Sequence, residues 1–215
     1  MEILKVKYLS VKFGNKYILK DVSFSLLKGE KFFILGSNGA GKTTLIETIM
    51  GFIKPESGEI YFLGKKMEKE EDFYELRKNI GYVFQNPDDQ LFSPTVEEEL
   101  AFGPLNLKIN RIEIKKRIEK VLNEFGISHL RNRYIHLLSG GEKRIVSIAC
   151  VLTMEPMALI MDEPSAGLDE MHFNYLIEFL KNTNKSVIIA THDKDLISVL
   201  KWKIYKLENG YLTLL

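Results

Sequence analysis

The sequence predicts an α/β protein: a mixed sheet core carrying a glycine-rich loop, a mostly helical stretch inserted at 87–155, and an antiparallel β region at the N-terminus. Three observations predict it. "MALIMDEP" (157–164) and "SVIIATHD" (186–193) are short apolar runs ending in polar residues, as buried parallel strands do, and "KFFIL" (31–35) reads as a further buried strand. "NRIEIKKRIEKVLNEFG" (110–126) spaces Ile112, Ile118, Val121, Leu122 and Phe125 at helical intervals, with Gly126 where a helix stop belongs. Residues 1–30 instead alternate in the manner of strands, in "LKVKYLSVKFG" and "LKDVSFSLLKGE".

The remaining elements follow in order. After the strand at 31–35 comes "GSNGAGKT", with a helix starting near Gly41. "SGEIYFLGKKM" reads as a hairpin strand, and "NIGYVFQN" (79–86) as a strand running into a loop that carries Pro and Asp. A helix is expected over 141–154, and Asn209–Gly210 between two alternating runs in "WKIYKLENGYLTLL" signals a hairpin. No repeat, low-complexity tract or long heptad segment stands out. The 215 residues, 45% of them hydrophobic, suit a single domain spanning 1–215.

Composition narrows the function. Thirty basic and twenty-nine acidic residues leave a net charge of +1, so no basic field advertises nucleic acid or an anionic membrane surface. One cysteine, Cys150 in "IVSIACVL", excludes internal disulfides and points to a reducing, cytosolic setting; it reads as a small buried core residue rather than a reactive thiol. "MEILKVKYLS" lacks the apolar core of a signal peptide, and Glu155–Pro156 breaks the most membrane-like stretch, 145–161. A soluble protein is expected, with any membrane spans supplied by other chains.

Gly36, Gly41, Lys42 and Thr43 satisfy G-x-x-x-x-G-K-[ST] between an apparent strand and an apparent helix, the context in which the pattern means a phosphate cradle. Glycines let the backbone of Gly36, Ser37, Asn38, Gly39, Ala40 and Gly41 close around an oligophosphate, at the positive end of the helix that carries Lys42, Thr43 and Thr44. Lys42 then reaches the β- and γ-phosphates, and the Thr43 hydroxyl ligates Mg²⁺. Such a loop needs an acidic partner for the metal and a group that orders water. Asp162 and Glu163, at the end of "ALIMD", supply both: Asp162 for Mg²⁺ and Glu163 as general base. His192, just past another apolar strand, is placed to contact the γ-phosphate, whereas His129, His136 and His172 read as structural. Four dispersed histidines and one cysteine give no zinc-type spacing. Ser139, Gly140 and Gly141 open a further helix. They form either a plain cap or a second anion-binding N-terminus that serves the nucleotide of another copy.

At "LLSGGEKRIVSIAC" the sequence resembles the ATP-binding-cassette (ABC) ATPases, whose LSGGQ signature is matched here by "LSGGE". "GSNGAGKT", Gln85 of "VFQNP", "LIMDEP", "SAGLD" and "THD" stand around it in the family's order, and the resemblance covers nearly the whole chain. It implies a P-loop NTPase of the ABC ATPase type that binds ATP and Mg²⁺ and pairs head to tail with a second such domain. One copy's Ser139, Gly140, Gly141 and Glu142 then meet ATP held by the other's phosphate loop. The resemblance also implies that Phe13, or alternatively Tyr17, stacks on adenine. It implies that Gln85 touches Mg²⁺ and the attacking water, and that Asp169 spans the dimer seam.

The stretch "FQNPDDQLFSPTVEEELAFGPLNL" (84–107) resembles the matching segment of ATPases of energy-coupling-factor (ECF) importers, the group that takes up cobalt, nickel and B-type vitamins; "LSGGEKR" suits the same group. The implied function is ATP hydrolysis at the cytoplasmic face of the cell membrane, energising a membrane subunit that docks near 85–107. Leu91, Phe92, Leu100, Phe102 and Leu105 either line a groove for that partner's helix or pack internally. Two alternatives stand beside this. A non-transport ABC ATPase acting on nucleic acid or ribosomes is disfavoured by the neutral charge and the absence of inserted arms. A module that senses ATP without turnover is disfavoured by the intact Glu163 and His192. Ser37 and Ser165 depart from the Pro and Thr frequent in the family, and "DLISVLKWKIYKL" lacks an Asp usual there. The sequence ends at Leu215, where ECF ATPases usually continue into a C-terminal helical extension, so a mainly monomeric protein is expected without nucleotide. The second cassette is a further copy or a paralogue.

Overall fold

Alternation makes the first sheet. In the computed structural model, which describes residues 1–215, β1 (Glu2–Phe13) and β2 (Lys16–Leu27) pair antiparallel. Leu4 and Val6 turn inward while Lys5 and Lys7 turn out. β3 (Lys31–Leu35) leads through the glycine-rich loop into α1 (Lys42–Ile49). β4 (Ser57–Phe62) and the short β5 (Lys65–Lys66) then complete a four-stranded antiparallel sheet of order β2-β1-β4-β5.

The buried runs make the second sheet. β6 (Ile80–Val83), β7 (Ala158–Asp162), β8 (Ser186–Thr191) and β9 (Lys203–Glu208) join β3 as parallel neighbours, and β10 (Tyr211–Leu214) closes the edge antiparallel, in the order β10-β9-β3-β8-β7-β6. The last two strands turn at Asn209 and Gly210, both with positive φ, as the hairpin signal required. Strand periodicity divides the side chains of the central sheet between two cores. Phe32, Ile34, Ile160 and Ile188 pack toward the antiparallel sheet and α1, whereas Phe33, Leu159, Val187 and Ile189 pack toward the helices. Burial on both faces explains why these strands read as apolar runs.

On the helical face stand α3 (Val96–Asn106), α4 (Arg111–Glu124), α5 (Gly140–Leu152), α6 (Glu170–Asn182) and α7 (Lys194–Leu200). Thr95 caps α3 and Ser139 caps α5, each in a reciprocal capping box with the Glu at the third helical position. Asn110, Asp169 and Asp193 cap α4, α6 and α7 through side-chain oxygens. A further helix, α2 (Glu70–Asn79), buries only Leu76, so its sequence carries no apolar period from which to predict it.

The structure decides an alternative left open by the sequence and adjusts one expectation. Leu91 (7% exposed) and Leu100 (fully buried) belong to the core rather than to a surface groove. Leu100 lies one helical turn after the buried Val96, on the inward face of α3, while Phe102 and Leu105 lie on the outward face. Phe92, 64% exposed, packs edge-to-face on Phe102 at 4.6 Å. These two rings line a cavity of 480 Å³ with Tyr74, Glu99 and Met154. Cys150, expected in the core, reaches the wall of the same cavity, because a helix buried nearly all round still presents one side there. Burial pushes its thiol up to about 12, so it is not a thiolate at neutral pH.

Leu91 and Phe92 should therefore respond oppositely to charge. Leu91→Asp is expected to destabilise the protein by about 3 kcal/mol or more, while Phe92→Asp costs no more than about 1.5 kcal/mol, the scale of its aromatic pair with Phe102. Urea unfolding of both variants checks this.

Candidate nucleotide site

Parallel strands that enter at one edge of a sheet all leave at the other, and the predicted groups sit at that exit. β3 ends at Leu35 beside the glycine loop, β6 at Val83 before Gln85, β7 at Asp162 before Glu163, and β8 at Thr191 before His192. Ligands of open α/β sheets bind in such a crevice, beyond the carboxyl ends of the strands. Here it is a cavity of 230 Å³ lined by Asn38, Gly39, Gly41, Lys42, Thr43, Thr44, Gln85, Asp162, Glu163 and Ile18.

The loop can close because of its glycines. Gly41 precedes α1 in the left-handed region at φ 101°, and a Cβ there would stand 3.0 Å from Ile18 Cγ2. Both facts leave room only for Gly. The N–H groups of Asn38, Gly39 and Gly41 donate to no backbone carbonyl, so they are available to an anion. Lys42, 7% exposed, donates to the carbonyls of Gly36 (2.8 Å) and Ser37 (3.3 Å) and lies 3.1 Å from Glu163 Oε1.

The neighbouring carboxylates have opposite environments. Asp162 accepts from Thr43 Oγ1 at 2.5 Å through Oδ2, while its buried Oδ1 has no partner. Burial raises its pKa above the usual carboxylate range, and the Thr43 bond only partly opposes this. Gln85 Oε1 stands 3.4 Å from the same Thr43 hydroxyl. The Asp162 carboxylate, with one oxygen still unpartnered, the Thr43 hydroxyl and the Gln85 amide oxygen form a hard, oxygen-only donor set that fits Mg²⁺. No group of three or more His, Cys, Asp or Glu residues is arranged to hold a metal elsewhere. Glu163 is held the other way. Burial pushes its pKa up, but hydrogen bonds from His192, Thr191 and Lys42 outweigh that and leave it below the usual range. Its Oε1 lies 2.7 Å from His192 Nδ1, and its Oε2 accepts from Thr191 Oγ1 at 2.7 Å. Glu163 also carries φ 48°, a left-handed conformation a glutamate adopts only when its surroundings impose it.

Of the other predicted residues His192 joins this cluster, while Ser139–Glu142, Asp169 and Phe13 lie apart from it. His192 meets Glu163 directly, with its side chain more than half exposed. Ser139 Oγ accepts from Glu142 N (3.2 Å), and Glu142 Oε2 accepts from Ser139 N (2.7 Å), so the SGG segment is a capped helix N-terminus facing outward. Gly141 packs against the Gly167 carbonyl, and Asp169 caps α6 through His172 N at 2.8 Å. A second cavity, of 700 Å³, flanks the loop at Ser37–Ala40 and is lined by Tyr17; Phe13, half exposed, is not in its wall. Three side chains at the site escaped the sequence reading. Ile18 carries no motif, and Thr191 is the unassigned first residue of "THD". Arg144 is a charge in the otherwise apolar run "RIVSIAC", and that could have marked it.

A glycine loop, a buried lysine and a metal-suited carboxylate beside a second, strained carboxylate define a nucleoside triphosphatase of the P-loop class. More narrowly, the chain belongs to the ABC transporter family, whose model matches residues 19–166. It is an ABC-type ATPase, the ATP-binding subunit of a transporter. It is 41% identical over 215 residues to the energy-coupling factor transporter ATP-binding protein EcfA of Methanocaldococcus jannaschii, covering 98% of this chain and 77% of that one. It resembles cbiO1 from Clostridium perfringens, part of the ABC transporter complex cbiONQ, with TM-score 0.86 at 40% identity, covering 99% and 87% of the two chains. It also resembles a dimeric ATP-binding cassette solved in a post-hydrolysis state with ADP and Pi, with TM-score 0.87 at 28% identity, covering 98% and 96%. No helix of the chain is long and apolar enough to cross a membrane.

The raised pKa of Asp162 has a consequence for stability. Folding disfavours its ionised form, so above the unfolded carboxylate pKa the charge opposes folding, and more so as pH rises through the folded value. In EDTA, Asp162→Asn should therefore stabilise the protein at neutral pH. The gain should fade as pH drops to about 3, below the unfolded aspartate value, where the carboxylate is largely protonated in either state. Urea unfolding at the two pH values measures it.

Proposed function

We propose that this chain is the ATP-hydrolysing subunit of an ECF-type importer for a metal ion such as cobalt or nickel, or for a B-type vitamin. It would work at the cytoplasmic face of the cell membrane. The observation that carries the hydrolytic part is the convergence of Lys42, Thr43, Gln85, Asp162 and Glu163 at one sheet edge, where Asp162 keeps one oxygen unpartnered. The likeness to EcfA and to cbiO1 supports the importer part.

In this reading the loop amides and Lys42 bind the phosphates of ATP, with an aromatic ring of the β1–β2 hairpin, Phe13 or Tyr17, on adenine. Thr43, Asp162 and Gln85 would hold Mg²⁺, which would supply neutralisation of the phosphate charge. Glu163 takes the proton of the water that attacks the γ-phosphorus. Lys42 is one of the groups holding the Glu163 pKa down, so a phosphate that draws Lys42 away leaves Glu163 more basic. His192 orients Glu163 through Nδ1. Ser139, Gly140, Gly141 and Glu142 face the nucleotide of a second cassette across the seam that Asp169 borders. The segment 87–155 acts as the helical subdomain, and the cavity between Phe92, Phe102 and Tyr74 receives a helix of the membrane subunit.

Glu163→Gln should keep ATP binding and lose turnover by about a hundredfold or more, the scale of a positioned general base. In light scattering the same variant should be monomeric without nucleotide and dimeric with Mg-ATP. Parental hydrolysis, or a dimer indifferent to ATP that survives Ser139→Arg, would count against the reading. Phe92→Asp should abolish co-purification of membrane-spanning chains while leaving ATP binding intact, a loss of about 2 kcal/mol or more at a buried interface centre. Undiminished co-purification would remove the docking assignment.

A further inference from the structure

The backbone around Gln85 is gripped from α5 by two side chains. Arg144, 4% exposed, donates from Nη1 to the carbonyl of Phe84 at 2.7 Å and from Nη2 to the carbonyl of Gln85. Gln90 works from the other side: its Oε1 accepts from Phe84 N at 3.0 Å, and its Nε2 donates to the Ser147 carbonyl of α5 at 2.7 Å. Both main-chain groups of Phe84 are thereby tied to one helix, although β6 and α5 are some sixty residues apart in the chain. A guanidinium is an expensive way to fill that space. Its Nε is buried without a partner, and burial works against its charge. Packing alone would be served as well by an apolar side chain. What only the forked guanidinium supplies is two simultaneous bonds to successive carbonyls. The helix it projects from is the one that starts at Ser139, Gly140 and Gly141.

We infer that Arg144, assisted by Gln90, is a positioning residue for ATP hydrolysis. It locks the Phe84–Gln85 backbone to α5, so that Gln85 Oε1 is kept beside Thr43 Oγ1 and any shift of α5 caused by an anion at Ser139–Gly141 is passed to Gln85. The inference rests on the role proposed above for Gln85. Within it, the two nucleotide sites of a cassette pair are coupled through one arginine. A ligand bound by the signature helix on one side sets the metal-side amide of the same chain, which serves the other nucleotide. The link is a rigid body moving with two bonded carbonyls, which is the kind of element that can transmit a bias between sites.

The test is a double-mutant cycle on the full chain with Mg-ATP, using Arg144→Met, Arg144→Lys, Gln85→Ala and the Arg144→Met/Gln85→Ala pair. Arg144→Met should lower kcat about tenfold with the KM for ATP within about twofold, and Arg144→Lys should recover part of the loss, since an ammonium can reach one carbonyl. In the Gln85→Ala background, Arg144→Met should cost less than about twofold, because both changes act through the same amide. Independent, multiplying losses would overturn the inference, and so would a parental kcat in Arg144→Met. If Gln85→Ala itself hydrolyses ATP at the parental rate, it is the role of Gln85 that has failed. The clasp is then decided by hydrogen exchange: Arg144→Met should speed exchange of the amides at 84–86 while the α5 core stays protected, and unchanged exchange at 84–86 would overturn it.

Discussion

Burying both faces of the central sheet leaves its strand ends as the only places where the polar chemistry of this chain can gather. Four parallel strands deliver the glycine loop, Gln85, Asp162–Glu163 and His192 to one edge, though these groups are spread over more than a hundred and fifty residues of sequence. The apolar cores above and below hold each strand in register, so the site is built to the precision of core packing rather than of loops. Phe33 and Val187 on one face, Phe32 and Ile188 on the other, are as much a part of its geometry as the groups that touch the nucleotide.

Charge at that edge is concentrated and only partly compensated. Lys42 and Glu163 form a buried ion pair, a weak source of stability because desolvation offsets the attraction, yet removing either partner would strand the other. Asp162 stands beside them with one oxygen unpaired, and Glu163 holds a left-handed backbone. These are departures from what packing alone favours, and they lie together. Strain and unsatisfied polarity concentrated at one place, in a chain where α3 to α7 are conventionally capped, mark where stability has been yielded to chemistry.

The Phe92 and Phe102 rings are exposed above a core that buries Leu91 and Leu100, and the loop carrying them is fastened beneath. Glu99, itself buried, accepts from the N–H groups of Phe92 and Ser93 at 3.0 and 2.7 Å. The aromatic surface is thus held rigidly to the same α3–α5 body that grips Gln85. A helix docked on these rings and an anion at Ser139 therefore act on one unit, which joins the surface proposed for a membrane partner to the phosphate edge.

Much was legible in the sequence because it is written locally. The glycine loop, the Asp162–Glu163 pair and the Ser139 cap each need only a few consecutive residues, and the buried strands betray themselves as uninterrupted apolar runs. Helices α6 and α7 lie outside the elements expected from sequence, and α2, with Leu76 alone buried, offers no period at all. Nor could spacing tell Leu91 from Phe92, two adjacent apolar residues of which one is core and the other surface; only the turn that precedes them and the inward face of α3 decide that. The same holds for Arg144, whose partners are carbonyl oxygens, groups every residue possesses and no sequence pattern distinguishes. By itself, then, the sequence determined which elements form and what chemistry they carry, because local backbone preference and side-chain type are properties of short stretches. Which of those side chains face water, which face one another, and which helix holds Gln85 in place were decided by tertiary structure alone, because they depend on distances between residues that the chain brings together only when both faces of the sheet are covered.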